Sequence, residues 1–132
     1  MADPVLELEV LKRFVKPSKR ARCAGFASAE RTRDRLLIEL RNPGIFDERY
    51  VHEVAPSERS PERLVQMFKE SGMGGRVYVI SSNATWDGKK FQMSWFVEEF
   101  LARGFDTLAY CWKSKTAFYE QHHSGFTYFL AR

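Results

Sequence analysis

Cysteine is scarce in this chain: Cys23 and Cys111 lie far apart and form no C-x-x-C pair. That usage argues against a disulfide framework or a thiolate zinc site, and it fits a reducing cytosol. Long apolar runs are missing as well. No window reaches the roughly 20 apolar residues that a membrane-spanning helix needs, and Met1-Ala2-Asp3-Pro4 does not lead into the apolar core of a signal peptide. A soluble, cytoplasmic protein with no membrane partner is therefore expected. Phosphate-cradling glycine patterns are lacking too. Gly72-Met73-Gly74-Gly75 precedes a strand rather than following one, so it makes neither a phosphate-binding loop nor a dinucleotide fingerprint. No cofactor and no metal are expected. Acids are absent from one long stretch, Val10 to Ala29, which carries Lys12, Arg13, Lys16, Lys19, Arg20 and Arg22.

What is present is a core of rings. The 132 residues include eleven Phe, five Tyr and three Trp, and 44% of the chain is hydrophobic. This rules out a disordered chain and suits one domain with a sizeable core. Within it, a helical lead over 1–44 precedes an α/β core over 45–132. Formal net charge is +4. The six cations of the Val10–Ala29 block leave fifteen Lys and Arg against seventeen acids elsewhere, a near balance. The block can be a solvated helical face, or a surface for phosphates or for an acidic protein.

The chain is organised around the stretch from Gly75 to Trp112. Arg76–Ile80 is a β-branched and aromatic run, Ser81 to Gly88 a polar turn, and Phe91–Leu101 an apolar stripe at helical spacing. Gly104 stops that helix before Thr107–Trp112. Strand, helix, strand at this length predicts a right-handed crossover with parallel strands. Upstream, Tyr50–Val54 alternates as a strand, and Ser60-Pro61-Glu62 opens a well-marked helix that Gly72 ends. The two overlapping units predict a three-stranded parallel βαβαβ core. Past Trp112 a short turn forces an antiparallel strand over Ala117–Gln121. A turn at His122–Gly125 leads to an edge strand through Phe126, Tyr128 and Leu130, with a closing helix as its rival.

The lead reads as three helices. Asp3-Pro4 opens the first, with Leu6, Val10 and Phe14 on one face. Pro17 breaks it, and a second runs over Ser18–Phe26. Ser28 caps a third through about Arg41, with Leu36, Leu37 and Leu40 inward and a strand over Leu36–Leu40 as the alternative. The basic lead, FDERYVHEV, YVISSNATWDGKKF and the AFYEQ hairpin resemble small bacterial proteins of unassigned function. That resemblance implies an α/β domain and carries no catalytic residue over to this chain.

Parallel sheets gather ligands beyond the carboxyl ends of their strands. Ser81, Ser82, Asn83 and Asp87 would be delivered there by one strand, and Cys111, Trp112 and Lys113 by the next. The competing reading makes Asn83, Asp87 and Gly88 turn formers, with Asp87 capping the following helix. Cys111 reads as a small buried hydrophobe, unless His122 or His123 returns to generate a thiolate. Adjacent histidines in a strand point to opposite faces, so His122 and His123 are poorly placed to share a metal. His52, inside an alternating strand, reads as structural rather than as a ligand. Trp95 falls in the apolar stripe and belongs to the core. Trp86, in a polar loop beside Lys89 and Lys90, is the ring expected at the surface.

Two functions follow. The first is a non-enzymatic binding module whose basic lead, with Trp86 and Lys89, meets an anionic partner, nucleic acid or an acidic protein. The second is a small enzyme or ligand-binding domain working from the strand ends.

Overall fold

The computed structural model describes residues 2–72, 74–100, 105–122 and 127–132. The expected helix end at Leu101 and Gly104, the loop residue Met73, and His123, Ser124, Gly125 and Phe126 lie outside them. Among the described residues, five helices and six strands alternate with single 3-10 turns. The helices are α1 (Pro4–Phe14), α2 (Pro17–Ala27), α3 (Arg33–Leu40), α4 (Pro61–Glu70) and α5 (Met93–Phe100). The strands are β1 (Val51–Glu53), β2 (Arg76–Ser81), β3 (Lys90–Gln92), β4 (Thr107–Cys111), β5 (Thr116–Glu120) and β6 (Thr127–Ala131).

The strands form one sheet in the order β1-β6-β5-β4-β2-β3, and every neighbouring pair is antiparallel. The parallel βαβαβ core expected from the sequence is therefore not the fold. The reason lies in three residues. Lys90, Phe91 and Gln92, read above as the lead-in and first turn of a helix, form β3 and fold back on β2, pairing Arg76 with Gln92. This hairpin returns the chain to the start of β2, where the Met93 amide donates to the Gly75 carbonyl at 2.7 Å. Helix α5 then climbs the sheet in the direction of β2, and β4 must come back down it. Val79 pairs with Ala109 and Ile80 with Leu108 in opposite directions. One extra reversal turns a parallel neighbour into an antiparallel one.

The other expected unit fails differently. β1 and β2 do point the same way, but β6, β5 and β4 lie between them, and β1 pairs with β6 through Val51 and Leu130. The expected hairpin from Trp112 is antiparallel, with Ala109 opposite Phe118. The last stretch is a strand, though not an edge: β6 sits between β5 and β1.

Helices cover both faces. Tyr78, Ile80, Leu108, Tyr110, Ala117, Tyr119 and Leu130 turn toward α1–α3, where they meet Val10, Leu11, Phe14, Leu36 and Leu40. Val77, Val79, Ala109, Cys111 and Phe118 turn toward α4 and α5, where they meet Leu64, Phe68, Met93, Phe96 and Val97. The period-2 alternation of strand side chains thus feeds two cores, one on each face. Edge-to-face rings lock both, with Phe46 against Tyr119 at 4.8 Å and Phe68 against Phe118 at 5.2 Å. On α5, Phe96 and Val97 are buried, and the Phe100 side chain is outside the described set.

Local signals set most helix starts. Asp3 Oδ1 accepts from the Val5 and Leu6 amides at 3.1 and 3.2 Å, and Pro4 opens α1. Ser60 caps α4 with Pro61 behind it, and Gly72 takes φ +78° just past its end. Ser28 does not cap α3. It closes α2, its hydroxyl donating to the Gly25 carbonyl at 2.7 Å, and a 3-10 turn over Glu30–Thr32 delays α3 to Arg33.

Candidate functional site

The antiparallel sheet divides the expected strand-end site in two. Ser81 ends β2 opposite Thr107, the first residue of β4, whereas Cys111 ends β4 at the far side of the sheet. The five residues of β4 span roughly 13 Å, so Ser81, Ser82, Asn83 and Asp87 do not converge with Cys111 and Lys113. His122 lies at the Ser81 end, its amide donating to Asp106 Oδ1 at 2.9 Å. It is thus a strand's length from Cys111. Cys111 is fully buried and directs its thiol to the Gly74 carbonyl, while Lys113 is exposed in the turn after β4. Among the described residues no three His, Cys, Asp or Glu side chains group as metal ligands.

The polar groups of the Ser81–Gly88 turn bond to one another. Ser81 Oγ shares a hydrogen with Thr107 Oγ1 at 2.9 Å and accepts from the Asn83 amide at 3.0 Å. Asn83 Oδ1 accepts from the Thr85 amide, and Ser82 Oγ accepts from the Asp106 amide. Gly88 turns the hairpin at φ +75°. Asp87 does not cap α5. Its Oδ1 accepts from the Ser81 amide at 3.0 Å, and both its oxygens receive Arg33, Nε at 2.6 Å and Nη2 at 2.8 Å.

Arg33 leads into a buried network that the sequence hides. Its Nη1 donates to Glu7 Oε1 at 2.6 Å, Tyr78 donates to Glu7 Oε2, and the Asp3 amide donates to the Tyr78 hydroxyl at 2.9 Å. Glu7 has no exposed surface, and Arg33 is 12% exposed. Burial disfavours the Arg33 cation, but the carboxylates of Asp87 and Glu7 outweigh it and hold the guanidinium above its ordinary range. Burial, and then the bond to Glu7, push the Tyr78 phenol upward. By its position in the first turn of α1, Glu7 suits the helix dipole. Only the spacing of Glu7 from Val10, Leu11 and Phe14, which sets it on the apolar face of α1, marks it as buried.

The two tryptophans exchange places relative to expectation. Trp86 is 8% exposed, packed edge-on against Phe105 at 5.1 Å and near Phe96, on the α5 side of the sheet. Trp95 is 48% exposed and leans on Phe91. Trp86 is thus on the opposite face of the sheet from the basic lead and does not share its surface. Lys89 lines a cleft of about 610 Å³ with Arg76, Tyr78, Lys90 and the start of α1. That is the end of α1 away from Lys12 and Arg13.

The basic lead forms the outer face of α1 and α2. Lys12, Lys19 and Arg22 are exposed, and Arg13, Lys16 and Arg20 are partly covered. Arg22 is neutralised by Glu39 at 2.8 Å, and Arg20 Nε donates to the Val15 carbonyl at 2.9 Å. Among the described residues Lys12, Lys16 and Lys19 make no ion pair, unlike Arg41, Arg49, Arg63, Lys90 and Lys115, each of which holds a carboxylate. Between the helices runs a groove of about 390 Å³, lined by Leu8, Leu11, Lys12, Arg20, Ala21 and Ala24. Compared with known proteins, the chain matches no family model, no curated protein and no solved structure. No helix among the described residues is long and apolar enough to cross a membrane.

Proposed function

We propose that this protein is a non-enzymatic binding module that docks an anionic partner on the outer face of α1 and α2. The observation carrying this reading is that Lys12 and Lys19 are exposed on this face and make no ion pair among the described residues, while Lys16 also makes none but shares a cleft with Glu48 and Glu53. Cations held without acids raise the local potential and speed the encounter with an anion. Arg22, by contrast, is exposed but neutralised by Glu39 and contributes less to an approaching partner, while Arg20 gives only its Nε to the Val15 carbonyl.

The test measures binding of polyglutamate and of a short DNA duplex by fluorescence anisotropy as salt is raised. Affinity should fall linearly on log–log axes. The Lys12→Glu/Lys19→Glu double variant should flatten the duplex slope by about 2, roughly one unit for each phosphate no longer neutralised. Its melting temperature should stay near that of the parent, since exposed charges contribute little to folding. Absence of binding to both polyanions at low salt would overturn the reading.

A further inference from the structure

We propose that the groove between α1 and α2 receives an acidic amphipathic helix from a partner protein, its apolar stripe on the floor and its carboxylates on the rim. This rests on the reading of the α1–α2 face as an anion-binding surface and specifies the partner. The floor is the first reason. Leu8, Leu11, Ala21 and Ala24 line the groove, Leu8 is 48% exposed, and Val5 one turn earlier on the same face of α1 is 74% exposed. A nucleic-acid backbone gains nothing from aliphatic side chains, whereas a helix with apolar residues at i, i+3, i+4 and i+7 buries them.

The wall of α2 is the second reason. Ala21 and Ala24, about one turn apart on α2, are the small residues that this helix gives to the groove. Small side chains there leave room for the ridge of an incoming helix. Charge is the third. Lys12 from α1 and Arg20 from α2 line the groove from its two helices, so carboxylates on both flanks of the incoming stripe meet a cation. A second copy of this chain seated by the same face would set these cations against each other.

The experiment uses the full chain and a labelled synthetic peptide of about 15 residues, with Leu at helical spacing and Glu on the flanks. Its control keeps the Glu residues and replaces every Leu with Ser. The Leu peptide should bind and gain helicity by circular dichroism, and the Ser peptide should bind about tenfold more weakly or worse. Leu8→Ser removes floor, and Ala21→Gln fills the groove without changing charge. Both sites are exposed, so the fold should hold, and each variant should weaken Leu-peptide binding about tenfold while leaving duplex binding unchanged. Equal binding of the two peptides, or indifference to both variants, overturns the helix assignment and leaves the basic-surface reading standing. Duplex binding with no peptide binding does the same. Loss of binding to every polyanion defeats both. Self-association in sedimentation that Leu8→Ser or Ala21→Gln abolishes would assign the groove to a second copy and overturn the proposal.

Discussion

Two tyrosines on the same face of the sheet show how much a single hydroxyl depends on its neighbours. Tyr78 and Tyr110 stand directly opposite each other on β2 and β4, and neither has exposed surface. The Tyr78 hydroxyl is bonded twice, to Glu7 and to the Asp3 amide. The Tyr110 hydroxyl has no partner among the described residues, and burial, then the nearby Glu9 carboxylate, push its phenol upward. Tyr78→Phe strands a buried carboxylate oxygen and should cost about 2–3 kcal/mol in denaturant unfolding. Tyr110→Phe removes only an unsatisfied group, and stability should stay level or rise by up to about 1 kcal/mol. Equal losses in both variants would contradict this picture. Residue by residue, the sequence identifies which side chains are apolar but not always which lie outside. Trp95 obeys the helical stripe yet is half-exposed, because α5 turns Met93, Phe96 and Val97 to the sheet. Trp86 sits among polar neighbours yet is enclosed, because the turn folds it onto Phe105.

At the scale of elements, the helices with strong end signals are legible and the shortest strand is not. Asp3-Pro4 and Ser60-Pro61 each place a cap and a proline where orphan amides need them, so α1 and α4 begin where local chemistry says. β3 has no such mark. Its three residues show an exposed, half-buried, exposed pattern that equally fits the first turn of a helix. What forms it is the hairpin geometry at Gly88, whose amide donates to the Val79 carbonyl at 2.8 Å. Gly88→Ala forces a Cβ into φ +75° and should cost about 1–2 kcal/mol, readable as a lower denaturant midpoint at unchanged slope. A neutral result would mean that the turn, and with it the reversal setting the direction of β4, does not depend on glycine.

For the whole molecule, the strand order makes a hierarchy of protection. β4 and β5 have neighbours on both sides and helices on both faces, whereas β1 and β3 are three-residue edges. Amide hydrogen exchange should be slowest in Leu108–Tyr110 and Ala117–Tyr119, and fastest among the strands in β1 and β3. A slow β1 or β3 with a fast β4 would contradict this strand order. The expected strand-end site dissolves at this scale, because its two halves, Ser81–Asp87 and Cys111–Lys113, depend on a parallel sheet to meet. By itself the sequence determined the helical lead, the capped helix α4, the apolar runs of β2 and β4, the tight hairpin after β4 and the acid-free block of the α1–α2 surface. Each is set by residues close together in the chain. Strand direction and order were decided only in the tertiary structure. An antiparallel sheet covered by helices on both faces buries its central strands as a parallel sheet does, so β2 and β4 read as the same unbroken apolar runs. Which neighbour a strand takes depends on contacts between distant residues, such as Val51 with Leu130, that no local pattern carries.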